Sequence, residues 1–284
     1  MSVGKRGLVL EGGAMRGLFT AGVLDVLMEN NVSFDGVIGV SAGAAFGSNL
    51  VSGQIGRSLR YNLAFCRDKR YCSLRSLLKT GDLFGAEFCY RTLPLTLDVF
   101  DFKAYRESPT AFYAVATDVD TGEAVYLDCK GVDDPRVLDA IRASASMPLV
   151  SRPVSLDGRR LLDGGVSDSV PLEYFESIGY TKNLVVLTKP LGYRRKRASR
   201  LACGLLRRYP GVARAMRERH IRYNETLQSI ERREAAGEIL VIRPDVPLPI
   251  GRTSHSKSDL QAVYDLGRAV AERRLDDLLR FLKA

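Results

Sequence analysis

The sequence predicts an α/β fold of three layers, α/β/α, built on a mostly parallel central sheet. Short apolar runs alternate along the chain with segments of helical periodicity, which is typical of parallel strands joined by helices. The 284 residues, of which 45% are hydrophobic, are enough to build a large core. We found no internal repeat or low-complexity linker. We therefore predict a single domain over residues 1–284, with the motifs below in about residues 1–190 and a basic, helical extension over about residues 191–284.

The first predicted elements are a buried strand at residues 8–10 and a helix that ends near Asn30-Asn31. The apolar face of this helix consists of Gly17, Ala21, Leu24 and Met28. Further along, the turn signal DTGE at residues 120–123 separates two apolar runs and predicts a hairpin. A second hairpin is predicted at Asp157-Gly158.

The remaining predicted elements follow from caps and periodicity. They are a helix from Asp134-Pro135 through Ile141, buried strands at residues 183–187 and 238–242, and a final helix with a capping box at residues 258–261. The final helix carries an apolar stripe of Leu260, Tyr264, Gly267, Val270, Ala271, Leu278 and Leu282. We expect this helix to cover the core.

The motif GVSAG, residues 39–43, directly follows the apolar run at residues 37–38. It places Ser41 where a nucleophile would lie on a sharp strand-to-helix turn. Such a turn needs glycine on both sides, because its backbone is strained and the strand and helix approach closely. Taken alone, the motif is equally consistent with a glycine-rich turn that binds nothing.

A glycine-rich loop, EGGAMRG at residues 11–17, follows the first strand. Backbone amides converge in such loops and bind anions, helped by the N-terminus of the next helix. The anion is either a phosphate or the oxyanion of a reaction. The spacing is not GxGxxG, and no Lys-Ser/Thr pair follows Gly17 as a P-loop requires. We therefore favour the oxyanion.

A third segment, Asp163-Gly164-Gly165, places a carboxylate at the end of a predicted strand. The two glycines allow Asp163 to approach another loop closely. The alternative is an ordinary Asp-Gly-Gly turn, which is the commoner explanation of such a segment in isolation.

The three motifs together, in this order and at this spacing, resemble the patatin-like phospholipase family. The resemblance covers about the first two thirds of the chain. It implies a lipid acyl hydrolase with a Ser-Asp dyad, in which Ser41 attacks the ester and Asp163 takes its proton. The amides of the oxyanion hole would then be those of Gly12, Gly13 and Ala14. Supporting residues would be Arg16, Gly17, Gly39, Gly43, Gly164 and Gly165.

Two positions depart from the family pattern. Ala14 stands where the commonest form of the loop has a third glycine, and alanine disfavours positive φ. We therefore expect Ala14 to adopt an ordinary conformation. Asp168 stands where many relatives have asparagine; we expect it to hydrogen-bond loop backbone and keep it as an alternative base.

For Arg16 we favour anchoring of the loop over binding of a lipid phosphate.

The chain contains two histidines, and neither lies in a catalytic context. His220 is surrounded by arginines on what we predict to be a solvated helix. His255 precedes the final helix and is predicted to be a loop or cap residue. A Ser-His enzyme would need one of the two histidines, and His255 is the only credible candidate. The scarcity of histidine independently favours a dyad.

Two further segments belong to the predicted site. Residues 142–148 resemble the small-residue segment that lines the site in this family, and we leave their serines out of catalysis. Residues 57–102, rich in Tyr, Phe and Cys, are predicted to contribute a cap or lid over the site.

The basic charge is concentrated in residues 194–222, which hold eleven Lys or Arg residues and one acid, Glu218, in a chain of net charge +9. Together with Leu201, Leu205 and Leu206, this segment is consistent with contact to an anionic membrane or with a solvated basic face. The residues predicted to make membrane contact are Arg194, Arg195, Lys196, Arg197, Arg207 and Arg208. No nucleic-acid motif accompanies them, so no nucleic-acid partner is expected.

The alternative function is a non-catalytic module that binds anionic lipid or a nucleotide through the glycine-rich loop and the basic segment.

No cofactor and no metal site are predicted. The five cysteines, an odd number without CxxC spacing, are expected to be reduced thiols. No spanning or secretory segment is predicted, which indicates a cytoplasmic protein with peripheral contact on the inner face of the membrane. The headgroup, acyl length and oligomeric state are not predicted.

Overall fold

The computed structural model describes residues 4–283, apart from the side chains of Arg200 and Ala202. The strands are β1 (Arg6–Leu10), β2 (Gly36–Val40), β3 (Ala111–Asp118), β4 (Ala124–Asp128), β5 (Val154–Leu156), β6 (Arg159–Asp163), β7 (Lys182–Val186) and β8 (Leu240–Ile242). The α-helices are α1 (Leu18–Glu29), α2 (Ala42–Val51), α3 (Arg57–Phe65), α4 (Leu74–Thr80), α5 (Phe102–Glu107), α6 (Asp134–Ala145), α7 (Leu172–Ser177), α8 (Arg200–Leu205), α9 (Pro210–Ala235) and α10 (Lys257–Lys283). A π-helix spans Phe88–Leu97, and short 3-10 helices span Ala14–Gly17 and Gly164–Val166.

The described strands form one sheet in the order β5-β6-β3-β2-β1-β7-β8, with β4 paired to β3. Strands β3, β2, β1, β7 and β8 run parallel to one another. The β3-β4 and β5-β6 pairs are antiparallel hairpins, and β6 is also antiparallel to β3. The mostly parallel sheet and both predicted hairpins are thus confirmed.

Helices cover both faces of the sheet. Apolar side chains of α1, α2, α6 and α10 pack on one face, against residues such as Leu8 and Val37. Side chains of α7 and α9 pack on the other face, against residues such as Val9 and Ile38. Neighbouring residues of one strand point to opposite faces, so both faces of these buried strands are apolar. The three predicted layers are present.

Two predicted helix boundaries were wrong. Helix α6 continues four residues past Ile141 and ends at Ala145. Helix α10 begins at Lys257, and the hydroxyl of Ser256 accepts a hydrogen bond from the amide of Asp259 at 3.3 Å. Because Ser256 is therefore the N-terminal cap, the predicted capping box at residues 258–261 lies within the helix.

The five cysteines are free thiols, as predicted; four of them are buried and Cys89 is half-buried. Within residues 4–283, no helix combines the length and the apolar character that crossing a bilayer requires.

Candidate active site

Ser41 and Asp163 are brought together because two strands share one side of β3. Val115 of β3 pairs with Val40, the last residue of β2, and β4 lies on the opposite side. Beyond the end of β2, β6 takes its place beside β3, where Ala116 pairs with Asp163. The residue that follows β2 and the residue that ends β6 therefore meet at one point of the sheet.

Ser41 lies on a strained turn between β2 and α2, with φ 56° and ψ −120°. A non-glycine residue rarely adopts this conformation, which is typical of nucleophile elbows. Its amide donates a hydrogen bond to Oγ of Ser144 at 2.9 Å. The flanking glycines are required by space, since a Cβ would lie 2.6 Å from the Ala44 nitrogen at Gly39 and 2.5 Å from the Leu10 oxygen at Gly43.

Asp163 is buried, with 7% of its surface exposed, and its Oδ1 accepts a hydrogen bond from the amide of Gly165 at 2.7 Å. Burial raises the pKa of Asp163 above its ordinary value. A hydrogen bond with the Ser41 side chain and the charges of Arg219 and Arg252 oppose this rise in pKa. The Asp163 carboxylate thus faces the Ser41 hydroxyl in a site with limited access to water.

The glycine-rich loop is held in place by Glu11, whose carboxylate is buried. One oxygen accepts hydrogen bonds from the amide and hydroxyl of Thr188, at 2.6 and 3.0 Å. The other accepts a hydrogen bond from the phenol of Tyr223 at 2.6 Å. The amides of Gly12 and Gly13 donate to no other described residue and are therefore available to an anion.

Ala14 corrects one prediction, because its φ is 49° and not an ordinary value. The next residue, Met15, donates its amide to the carbonyl of Arg252 at 3.3 Å, which holds the loop in this path. The strain of a positive φ at alanine is on the order of 1–2 kcal/mol. Arg16 donates from Nε to the carbonyl of Ile250 at 3.3 Å, consistent with the predicted anchoring of the loop.

The other supporting glycines lie in close packing around these motifs. A Cβ on Gly17 would lie 2.7 Å from Cβ of Ala42, and one on Gly164 would lie 2.2 Å from the carbonyl oxygen of Val115. The predicted residues Gly12, Gly13, Ala14, Arg16, Ser41, Asp163 and Gly165 all line one cavity.

The alternative catalytic residues lie elsewhere. Asp168 accepts hydrogen bonds from the phenol of Tyr126 at 3.0 Å and from the amide of Val170 at 3.2 Å, as expected for a residue that holds the loop. His255 is exposed, and its Nδ1 lies 2.5 Å from the carbonyl oxygen of Cys66. His220 lies on α9 as predicted, but it is half-buried where we expected a solvated face. None of the three lines either cavity at Ser41.

Two cavities meet at Ser41. The first, of about 120 Å³, is largely apolar and is covered by residues of α3 and the π-helix, among them Tyr61, Tyr90 and Leu93. The predicted cap over residues 57–102 therefore forms a wall of this cavity. The second, of about 300 Å³, contains Asp163 and the glycine-rich loop and is lined by the cations Arg16, Lys189, Arg195, Arg219 and Arg252.

Within residues 4–283, no group of three or more His, Cys, Asp or Glu side chains is placed to hold a metal ion.

The basic segment divides into engaged and exposed residues. Arg194 forms an ion pair with Glu231 at 2.8 Å, and the guanidinium of Arg195 stacks 4.1 Å from the ring centre of Tyr223. Leu206 is buried in a small core. Arg195 and Leu206 are therefore not part of a free membrane-facing surface, contrary to prediction, whereas Arg194 is exposed but paired with Glu231. The exposed residues of the segment include Lys196, Arg197, Leu201, Leu205, Arg207 and Arg208.

Comparison with known families decides the relationship. Residues 8–176, more than half of the chain, match the family described as patatin-like phospholipase. The chain belongs to the patatin-like phospholipase family. This confirms the family that the three motifs predicted and also the predicted fold class, and makes the chain a member of a family of lipid acyl hydrolases. Residues 209–283 of this patatin-like chain match a second family, described as a domain of unknown function (DUF6363).

Curated relatives of this patatin-like protein are longer than the chain. It is 32% identical over 198 residues to the uncharacterized protein YjjU of Escherichia coli, covering 66% of this chain and 53% of that protein. It is 29% identical over 165 residues to an uncharacterized NTE family protein of Mycobacterium tuberculosis, covering 58% and 44%. The chain thus spans about half the length of the curated relatives it matches.

Solved structures similar to this patatin-like chain include VipD from Legionella pneumophila, with a TM-score of 0.48 and 11% identity, covering 97% of this chain and 67% of that one. They also include the type III effector protein ExoU, with a TM-score of 0.44 and 12% identity, covering 96% and 53%.

Three features of this patatin-like site were not predicted from sequence. Ser144, which we excluded from catalysis, supports the Ser41 backbone; the small-residue segment that carries it was the only signal. Glu11 acts as a buried anchor, although it was noted only as part of the glycine-rich motif. The cluster of cations comes from positions far apart in sequence, and only the tertiary structure reveals it.

Proposed function

We propose that this protein is a serine lipid acyl hydrolase that cleaves acyl esters of phospholipids or related lipids, with Ser41 as nucleophile and Asp163 as general base. One observation carries the proposal: Ser41 lies where an apolar cavity joins a cationic one, beside a buried carboxylate. An acyl chain fits the chemistry of the first cavity, and a polar head fits that of the second.

The reaction would proceed in two halves. Oγ of Ser41 attacks the ester carbonyl carbon while its proton passes to Asp163, and the tetrahedral intermediate expels the alcohol, which takes that proton. Water then attacks the acyl-serine, gives a proton to Asp163 and releases the fatty acid as the proton returns to Ser41. Each half forms one bond to the carbonyl carbon and breaks another.

The oxyanion of each intermediate would be held by the amides of Gly12, Gly13 and Ala14. The loop is fixed in advance by the buried Glu11 carboxylate, so the amides need little reorganisation during the reaction. Loss of one such donor typically removes about 2.7–4 kcal/mol of transition-state stabilisation.

The environment of Asp163 supports its role as a base. An ordinary aspartate, with a pKa of about 3.9, is a weak base toward an alcohol. Burial raises the pKa of Asp163, which makes the carboxylate more basic, and transfer of the proton during attack avoids a free alkoxide.

The test is a product assay on mixed lipids with mass-resolved detection, using wild type, Ser41→Ala and Asp163→Asn. We expect the wild type to release free fatty acid and both variants to lose this activity. Asp168→Asn is the matched control, because it removes a carboxylate five residues away that lines neither cavity, and it should retain activity. The non-catalytic module would be favoured instead if the folded wild type showed no turnover and if its binding of lipid or nucleotide survived in Ser41→Ala and Asp163→Asn.

We also infer peripheral contact with an anionic membrane, now restricted to the exposed residues of the basic segment. Leu201 and Leu205 are 75% and 61% exposed beside exposed arginines. Each basic residue near an anionic surface contributes about 1 kcal/mol. Co-sedimentation with anionic vesicles should be lost in the double variant Arg207→Gln/Arg208→Gln and in high salt. If the protein bound zwitterionic and anionic vesicles equally well, this contact would be contradicted.

A further inference from the structure

The cavity beside Asp163 collects positive charge from segments that are distant in sequence. Arg16 comes from the glycine-rich loop, Lys189 and Arg195 from the chain after β7, Arg219 from α9, and Arg252 from the chain before α10. These five cations share the cavity wall with only two carboxylates, Glu11 and Asp163. Three of the five precede residue 209, whereas Arg219 and Arg252 belong to the part that matches a domain of unknown function.

None of these five side chains forms an ion pair with a described carboxylate, although most arginines elsewhere in residues 4–283 do so. The Nε atoms of Arg195 and Arg219 are buried and have no hydrogen-bond partner among the described atoms. Glu11 is already bound by Thr188 and Tyr223. The five cations therefore have no carboxylate counter-ion among the described residues: Arg16 bonds a backbone carbonyl, Arg195 stacks on Tyr223, and Arg252 is exposed.

Burial, together with the neighbouring positive charges, lowers the pKa of two of these cations. Burial, with the charge of Arg195 next, lowers the pKa of Arg219 to about 10. Burial, with the charge of Arg16 next, lowers the pKa of Lys189 to about 8. An anion in this cavity would raise both pKa values, because a nearby negative charge favours the charged form of each cation.

We propose that these cations form a subsite for an anionic phosphate group, and that the enzyme selects acyl esters whose head is a phosphate monoester over zwitterionic or uncharged ones. The inference rests on the proposed hydrolase function and adds its headgroup class. The subsite adjoins Ser41, so a phosphate held there lies close to the scissile ester. The C-terminal segment of unknown function then has a role, since Arg219 and Arg252 complete the subsite.

The test uses short-chain esters below their aggregation concentration, so that attraction of the basic segment to a charged surface plays no part. The three substrates are dihexanoyl phosphatidic acid, dihexanoyl phosphatidylcholine and dihexanoylglycerol, compared by kcat/KM for release of hexanoate. A hydrogen bond to a charged group favours the substrate that makes it over one that does not by roughly tenfold or more. We expect the wild type to prefer the phosphate monoester to the other two by about this factor.

The variants are Arg219→Gln and Arg252→Gln. Arg252 is exposed, so its substitution is tolerated by the fold even if that of Arg219 is not. Each should lower the ratio of kcat/KM for phosphatidic acid to that for dihexanoylglycerol by roughly tenfold. The ratio cancels any effect on Asp163 that all substrates share. Arg217→Gln, an exposed arginine on the same helix, should keep the wild-type ratio.

Equal kcat/KM for the three substrates, with a ratio unchanged in Arg252→Gln, would overturn the subsite and leave the hydrolase intact. If inorganic phosphate altered dihexanoylglycerol hydrolysis without any headgroup preference, the cations would bind free phosphate, which also overturns the assignment to a lipid head. A folded enzyme that hydrolyses none of the esters and takes no fluorophosphonate label would overturn the proposed function itself, and the subsite with it.

Discussion

The phenol of Tyr223 donates a hydrogen bond to the carboxylate of Glu11 across 2.6 Å, and so joins α9 to the glycine-rich loop. Burial and the charge of Glu11 raise the pKa of Tyr223, so the phenol stays protonated and remains a donor. Both joined elements line the second cavity, the glycine-rich loop through Gly12 and α9 through Arg219. The C-terminal segment is thus structurally continuous with the site.

Tyr223→Phe should therefore destabilise the protein and slow catalysis. It leaves one oxygen of a buried carboxylate without its donor, at a cost of about 1–3 kcal/mol in the free energy of unfolding. Denaturant unfolding measures this cost. Tyr193→Phe is the matched control, since the neighbouring Tyr193 phenol bonds to no other described residue. A Tyr223→Phe protein as stable as the wild type would contradict the anchoring role of this contact.

Ser144→Ala should lower kcat on acyl esters by roughly tenfold with little change in KM. The amide of Ser41 would lose its acceptor, and the strained turn would hold the hydroxyl less firmly. Steady-state kinetics provide the measurement. Ser146→Ala, whose hydroxyl bonds the carbonyl of Arg142 instead, should retain near wild-type kcat. The positioning role of Ser144 is wrong if both variants behave alike.

Gly12→Ala should abolish most of the activity. A Cβ at this position would lie 2.8 Å from the carbonyl oxygen of Val40 and 2.9 Å from Cβ of Ser41, so the loop and the nucleophile would have to separate. Displacing one oxyanion donor slows the reaction by about 10²–10³. Gly204→Ala, where a Cβ would meet nothing within 4 Å, is the control and should be fully active. Substantial activity in Gly12→Ala would argue against this oxyanion loop.

The pH profile of kcat/KM on an uncharged ester should show an acidic limb set by Asp163. The base must be ionised, so activity falls as pH drops through its pKa, which burial places above the ordinary range for aspartate. Arg219 lowers the pKa of Asp163; in Arg219→Gln the pKa rises and the limb moves to higher pH. Arg217→Gln should leave the limb in place. A limb that moves to lower pH in Arg219→Gln would contradict the assignment of Asp163 as base.

Sequence predicts those features of the fold and the site that local chemistry sets. The glycines around Ser41 are required by the close approach of one strand and one helix, so the motif alone indicates the turn. Likewise, the turn residues at Asp157-Gly158 adopt positive φ at both positions, which is the conformation that a two-residue hairpin demands.

The remaining features depend on contacts between distant residues. Ala14 has a positive φ in a loop whose next residue, Met15, is bonded to Arg252, and no local rule indicates that contact. Ser144 meets Ser41 across 103 residues of sequence. Arg195 and Arg219 belong to a basic segment whose composition suggests a solvated surface, yet the fold turns both toward the cavity. Charge composition reports how many cations a segment has and not which way they point.

The role of Ser41 as nucleophile is tested most simply by treating the protein with a fluorophosphonate and analysing its peptides by mass spectrometry. We expect a single adduct on the peptide that contains Ser41, slow labelling in Asp163→Asn, and none in Ser41→Ala. An enzyme that hydrolyses acyl esters while the adduct lies on another residue, or while Ser41→Ala remains active, would contradict the account.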